Sequence, residues 1–497
     1  MDIIDNETQI IIGDPYSPTF ESPETIDLLE LQKNVEKRMK YGLASVSGIR
    51  QIFDRTFGDE QTDFVDGTNT EITHAAKIHV ATIADCFSEL IIQKTNNQHP
   101  TIVVGIDTRH TGPAIADVVI RLLIKNGINV RYTFITPITE IALYSSKVSD
   151  GFIYISASHN PRGYNGLKMG FNDARLLPGD IAKSFIDIYK SRIYEISNTK
   201  AMIYKANNVN PEDVLNIYNK IETYRNESQE VYSIFADSII TGLKDRGEVE
   251  DRKNALRDKI LQKNICIGID PNGGARRDKE YLESWGFDVA VINGRPREDM
   301  VHDLSPIPSA CAQAKETLVD LQKKGKNIVA FFVFDTDGDR KNIVIPDGKD
   351  GAVIPGVQMI FVLDVLCSIL NAKLSFPNRE IGIVINDATS SVLEHLSYYL
   401  DFIVKRVEVG EANVASAGIN LSNQGIYVPI MGEGSNGSVF NLDLLVREPL
   451  HTIRTIIDFI TKPELTQKLL VIHSYMFLSY YRYLEHLQDL RYWLYKS

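Results

Sequence analysis

The chain has 497 residues, of which 43% are hydrophobic and 24% charged, ordinary globular proportions that exclude a disordered or fibrous chain. Its formal net charge of −12 excludes a nucleic-acid backbone as main partner, because non-specific binding there needs a net basic surface. At ~150 residues per domain the length predicts roughly three domains.

Met1-Asp2-Ile3-Ile4-Asp5 has no basic region followed by an apolar stretch, so a secretory signal is not expected. No run approaches the ~18 apolar residues that span a bilayer, so no membrane partner is expected. Cys86, Cys266, Cys311 and Cys367 are far apart and form no Cys-x-x-Cys pair. They read as buried thiols of a reducing compartment, and the cytoplasm is the default address.

Ser47-Gly48-Ile49-Arg50 places an arginine in a glycine turn, either as a clamp on a phosphate or as an ordinary surface arginine. The Asp-, Gly- and Thr-rich stretch Thr56 to Thr70 reads as an exposed loop. Ile102 to Ile106 has the pattern of a short buried strand, and the segment from Pro113 puts Ile115, Val118, Val119 and Leu122 on one helical face. Gly127 stops that helix, and Ile128 to Thr133 reads as the next strand.

The same strand-helix-strand order recurs from Ile265 to Asp270, through Gly273-Gly274 and a helix containing Tyr281 and Trp285, to Val289 to Ile292. It recurs again from Ile381 to Ile385, through Val392 to Leu400, to Ile403-Val404. Three such units predict an α/β chain of three consecutive domains with mixed or parallel sheets. Polar stretches near Asn207 to Asn210 and Asp347 to Gly351 mark the breaks, giving domains at 1–211, 212–349 and 350–463. Residues 464–497, with Leu469, Leu470, Ile472, Phe477, Tyr480, Tyr481, Leu484, Leu487 and Trp493, form a helical tail. It either packs on the preceding domain or binds a partner.

Three segments carry chemistry. The strand Gly151 to Ile155 runs into Ser156-Ala157-Ser158-His159-Asn160-Pro161, exposing a serine where α/β proteins place their sites. A serine needs a base and cations nearby to accept and return a phosphoryl group, and His159 and Lys168 are local candidates. A simple Asx-type turn is the alternative. Asp335-Thr336-Asp337-Gly338-Asp339-Arg340 follows a strand from Asn327 to Phe334. Three carboxylates so close need a cation, and all-oxygen ligands suit Mg²⁺. An EF-hand fails because Arg340 and Pro346 stand where that loop wants Gly and Glu; a solvated acidic turn remains open. Gly432-Glu433-Gly434-Ser435-Asn436-Gly437, after a strand from Tyr427 to Ile430, offers Glu433 and Ser435 to sugar hydroxyls, or is an ordinary glycine-rich turn.

Taken in order, Ser-Gly-Ile-Arg, Gly-Ile-Asp-Thr-Arg, Ser-Ala-Ser-His-Asn-Pro, Asp-x-Asp-Gly-Asp-Arg and Gly-Glu-x-Ser over roughly residues 45 to 460 resemble the α-D-phosphohexomutase family of phosphoglucomutases and phosphomannomutases. The resemblance implies an intramolecular phosphotransferase interconverting hexose 1-phosphate and hexose 6-phosphate, with a phosphosugar as substrate and a sugar bisphosphate as activator. It implies that Ser158 is the phosphoserine and joins Asp335, Asp337 and Asp339 on Mg²⁺, with Arg50 and Arg340 near the transferred group. His159 or Lys168 would act as acid or base, and Glu433, Ser435, Asn436 and Arg109 would meet the substrate in a central cleft. Ser156 stands where the family usually has Thr, and Asn436 where it usually has Gly. Nothing after Glu464 resembles the family's Arg-x-Ser-x-Thr-Glu-Pro loop, so the tail is expected in place of a fourth domain. The alternative expectation is a phosphosugar-binding protein of little or no activity with a regulatory or partner-binding role. A seryl phosphate beside one cation needs no nucleotide, and the chain shows neither a Walker P-loop nor a Gly-x-Gly-x-x-Gly turn after a strand in the positions those motifs require.

Overall fold

The computed structural model describes residues 2–21, 25–45, 48–53, 68–305, 307–348 and 351–462. Ser47, most of the expected loop at 56–70 and the expected tail at 464–497 lie outside them. The chain forms two compact units, one of residues 1–232 with 295–298, the other of 233–294 with 299–497.

In the first unit, β1 (Ile3–Ile4) and β2 (Ile11–Gly13) form a small antiparallel pair. β3 (Leu43–Ser45), β4 (Gly48–Ile52), β5 (Thr101–Ile106), β6 (Asn129–Ile135), β7 (Gly151–Ile155) and β8 (Tyr164–Phe171) make a six-stranded sheet in the order β3-β4-β8-β7-β5-β6. The expected strand-helix-strand unit is β5, the helix Gly112–Lys125 and β6, with Ile102 opposite Val130 in parallel register. Pro113 starts the helix, where a missing N–H costs nothing, and Ile115, Val118, Val119 and Leu122 are buried on it. Gly127 ends the turn beyond it at φ 79°, a left-handed conformation that glycine adopts without strain.

The second unit has two sheets. β9 (Ile265–Asp270), β10 (Asp288–Val291), β11 (Asn327–Phe334), β12 (Lys341–Pro346) and β13 (Ala352–Val353) are ordered β10-β9-β11-β12-β13. β14 (Gly382–Asn386), β15 (Ile403–Val407), β16 (Met431–Glu433) and β17 (Ser438–Phe440) are ordered β15-β14-β16-β17. The other two expected units are present, with β9 parallel to β10 and β14 parallel to β15. Antiparallel neighbours β12 and β17 make both sheets mixed. Cys266, Leu318, Phe331 and Val344 pack the first core, and Val384, Val414, Met431 and Phe440 the second. The chain is thus an α/β protein with mixed sheets.

Four details follow from tertiary contacts. Arg50 lies inside β4, not in a glycine turn, because β3 and β8 pair with β4 on its two sides. Tyr427 to Ile430 is not a strand: only Tyr427 bridges, to Ile381, and the ladder with β14 begins at Met431. Gly432 and Glu433 therefore belong to β16, and the loop proper is the short helix Gly434–Asn436. The helix Val357–Ser375 is long and apolar enough to cross a membrane by length and composition, but 67% of its most apolar window is buried in the protein. Its Asp364 accepts hydrogen bonds from Thr452 and Thr455 at 2.6 and 2.7 Å, which satisfy the buried carboxylate.

Candidate active site

Ser158 follows the carboxyl end of β7, the edge at which α/β sheets carry ligands. Its φ of 53° is left-handed, which costs a non-glycine residue of order 1 kcal/mol unless its surroundings impose it. The surroundings do. The Ser158 N–H donates to Ser156 Oγ at 2.9 Å, so the hydroxyl at position 156 is used whether Ser or Thr supplies it. Arg109, 1% exposed, gathers the loop's carbonyls: its Nη2 donates to Ser158 and Asn160 at 2.6 and 2.7 Å, its Nη1 to Pro161 and Tyr164 at 2.6 and 2.8 Å. Its Nε holds Asp107 at 3.1 Å. The Arg109 donors are thus spent on the chain, which gives this residue, expected at the substrate, a framing role in the Ser158 loop. The Ser158 side chain is also buried, and Oγ makes no hydrogen bond among the described residues. Such an orphan hydroxyl costs about 1–3 kcal/mol and suits a group that carries a covalent substituent.

Pairing brings Arg50 and Lys168 to the same sheet. Arg50 stands opposite Gly166, and Lys168 opposite Tyr154, while the Ser156 N–H donates to the Gly166 carbonyl at 3.0 Å. Since side chains alternate along a strand, Arg50, Ser156, Tyr154 and Lys168 share one face. A Cβ at Gly166 would lie 2.9 Å from Arg50 Cγ, so the missing side chain leaves the room in which the Arg50 stem lies. Lys168 is buried with Nζ 5.9 Å from the Tyr154 ring centroid, and His159 is exposed on the loop.

In the second unit, Asp335, Asp337 and Asp339 are buried with ligand oxygens within 4.8 Å of one another. Gly338, at φ 74°, makes the tight turn, and its N–H donates to the Asp335 carbonyl at 3.1 Å. Burial first, and then Asp337 and Asp339, push the Asp335 carboxyl well above the usual carboxylate range. Asp335 Oδ2 and Asp339 Oδ1 accept no hydrogen bond among the described residues. Hard oxygen donors crowded in this way fit Mg²⁺. Arg340 donates its N–H to Asp335 Oδ1 at 3.0 Å and holds its Nε 3.6 Å from Asp339. Arg276, unmarked by any motif, secures the turn from beneath: it donates to the Gly338 carbonyl at 2.9 Å and pairs with Asp278 and Glu448.

Glu433 is buried, and its carboxylate accepts from Asn386 and the Gly410 N–H at 3.0 Å each and from Arg447 at 2.6 Å. Although burial opposes its charge, Arg447 and these donors hold it below the ordinary glutamate value. Ser435 is exposed at the loop tip. Asn436 donates to Glu433 at 3.4 Å and accepts from the Ser438 N–H at 3.1 Å, so its side chain braces the loop. Arg447 was not foreseen: Val446-Arg447-Glu448-Pro449 has no spacing that singles it out.

Fold and loops define a multidomain α/β protein with a strained serine turn in one unit and a tri-carboxylate turn in the other. The profile described as "Phosphoglucomutase/phosphomannomutase, alpha/beta/alpha domain I" matches residues 66–195. The chain is 25% identical over 378 residues to a phosphoglucomutase/phosphomannomutase of Thermococcus kodakarensis, covering 75% of this chain and 71% of that one. It is 27% identical to a phosphoglucosamine mutase of Campylobacter curvus, covering 68% and 66% respectively. For a phosphoglucosamine mutase of Alkaliphilus oremlandii the match spans 52% of the relative's length. A phosphoglucomutase/phosphomannomutase family protein from Burkholderia thailandensis shares the fold, with a TM-score of 0.53 at 16% identity over 83% of this chain and 76% of that one. The chain is thus similar, in its first unit and over two thirds or more of its length, to phosphoglucomutases, phosphomannomutases and phosphoglucosamine mutases of the α-D-phosphohexomutase family.

Proposed function

We propose that the protein is a phosphohexomutase that isomerises hexose 1-phosphate and hexose 6-phosphate through a seryl phosphate on Ser158. The observation that carries the proposal is the buried Ser158 Oγ, without a hydrogen-bond partner among the described residues, on a left-handed turn that Arg109 frames. A sugar hydroxyl attacks the phosphorus of the seryl phosphate, the phosphorus–Ser158 oxygen bond breaks, and a sugar bisphosphate results. Lys168 or His159 serves as acid or base, passing the proton of the sugar hydroxyl to the freed Ser158 oxygen. The bisphosphate reorients, its other phosphoryl group returns to Ser158, and the isomeric monophosphate leaves. Phosphoryl transfer asks mainly for positioning and charge stabilisation, which Arg50 and Arg340 supply as fixed cations. Asp335, Asp337 and Asp339 would hold Mg²⁺, which neutralises charge on the phosphoryl oxygens. Glu433, Ser435 and Asn436 would place the sugar. This reading assigns 1–211 to the seryl phosphate, 212–349 to the metal and 350–463 to the sugar. Four buried, unbridged cysteines, with Cys86, Cys266 and Cys311 pushed up to about 12 by burial, support a cytoplasmic setting.

The test is conversion of glucose 1-phosphate to glucose 6-phosphate with Mg²⁺ and catalytic glucose 1,6-bisphosphate. Wild type is expected to turn over, and Ser158→Ala and metal-depleted protein are not. Turnover by Ser158→Ala would exclude the seryl phosphate; binding without turnover by wild type would favour a phosphosugar-binding role.

A further inference from the structure

The acid turn and the sugar loop of the second unit are joined by a residue that neither motif contains. Arg447 projects one guanidinium between three carboxylates: its Nη1 lies 3.4 Å from Asp339, its Nη2 2.6 Å from Glu433 and its Nε 3.4 Å from Glu411. All four side chains are largely buried, with exposures of 12% for Arg447, 2% for Asp339, 1% for Glu433 and 11% for Glu411. Burial opposes the charge of Arg447, but Glu411, Asp339 and Glu433 together raise its pKa above the ordinary arginine value. A second cation runs parallel to it. Lys341, directly after the acid turn and buried, donates to the Gly437 carbonyl of the sugar loop at 3.3 Å.

We propose that Arg447 is a positioning residue that couples the acid turn to the sugar loop, weakening the turn's hold on Mg²⁺ while fixing Glu433 for the sugar. The proposal rests on the mutase reading for its sugar arm. Asp339 is shared: each bit of its charge that faces Arg447 is withdrawn from a cation in the turn, and the guanidinium adds a like charge close to that cation. Glu433 gains its orientation from the same fork, because a planar guanidinium holds two carboxylates at fixed angles. Charge and fork are separable. Lysine keeps the first and loses the second; methionine loses both.

The experiment is calorimetric titration of the full chain with Mg²⁺ and, separately, with glucose 1-phosphate at saturating Mg²⁺, for wild type, Arg447→Lys and Arg447→Met. A unit charge a few ångströms from the turn, at an effective dielectric constant of about 20, is worth about tenfold or more in cation affinity. Arg447→Met should therefore bind Mg²⁺ about tenfold more tightly, and Arg447→Lys within about twofold of wild type. Both should bind glucose 1-phosphate several-fold more weakly, with KM raised more than kcat is lowered. Unchanged or weaker Mg²⁺ binding by Arg447→Met overturns the proposal, as does wild type that binds no Mg²⁺. If Arg447→Met does not fold, Arg447→Lys decides, and unchanged sugar-phosphate affinity there overturns it. Wild-type turnover with both variants unaltered refutes the coupling and leaves the mutase reading standing. Absence of wild-type turnover refutes the mutase reading, and the Mg²⁺ titration still judges Arg447.

Discussion

Replacing Arg109 by methionine should loosen the Ser158 turn before it unfolds anything else. The guanidinium makes four short hydrogen bonds, of 2.6 to 2.8 Å, to the carbonyls of Ser158, Asn160, Pro161 and Tyr164, and one of 3.1 Å to Asp107. Each bond to a charged group is worth ~1.5–3 kcal/mol. They share one side chain, so the loss is better bounded by that of breaking a buried ion pair, ~3–5 kcal/mol. The turn also stores the cost of φ 53° at Ser158, so without Arg109 it relaxes toward ordinary backbone. A loss of ~3 kcal/mol from local opening should speed amide exchange about 100-fold. The amides to follow are Ser158, Asn160 and Tyr164, each hydrogen-bonded within the turn. Ile102 and Val104 on β5 serve as the internal control. Arg109→Lys should fall between, since three donors on one ammonium cannot reach all these acceptors. Exchange within threefold of wild type in Arg109→Met would refute the framing role.

Gly166→Ala would place a Cβ 2.6 Å from the Ile49 carbonyl oxygen, a backbone atom that cannot yield, and should destabilise the first unit by ~1–3 kcal/mol. Gly179→Ala, with open space around the new Cβ, is the control, and thermal melts of the two should separate them. Burial first, then Arg38, pushes His79 down to about 3, while its ring is hydrogen-bonded to Tyr189 and the Val35 carbonyl. The unfolded chain takes up this proton below the ordinary value of 6.5 and the folded one does not. Stability should therefore be full above pH 6.5 and fall toward pH 3 by up to ~1.4 kcal/mol per pH unit from this group. Denaturant titrations of His79→Gln should show a shallower fall; an unchanged slope would rule the linkage out.

The three strand-helix-strand units, the strands before Ser158 and Asp335 and the acid turn itself were legible in the chain because they are local. Hydrophobic period, a stop at glycine and crowded carboxylates are each set by residues a few positions apart. The six-stranded order β3-β4-β8-β7-β5-β6 was not legible, and it moved Arg50 from a turn into a strand. The occupations of Arg109, Arg276 and Arg447 were equally hidden. An arginine's donors reach whatever the fold brings near, here carbonyls 49 to 55 positions away for Arg109 and a carboxylate 108 positions away for Arg447. Sequence determined which groups could do chemistry; tertiary structure decided which were committed to holding the others in place, because burial forces every charge to find a partner.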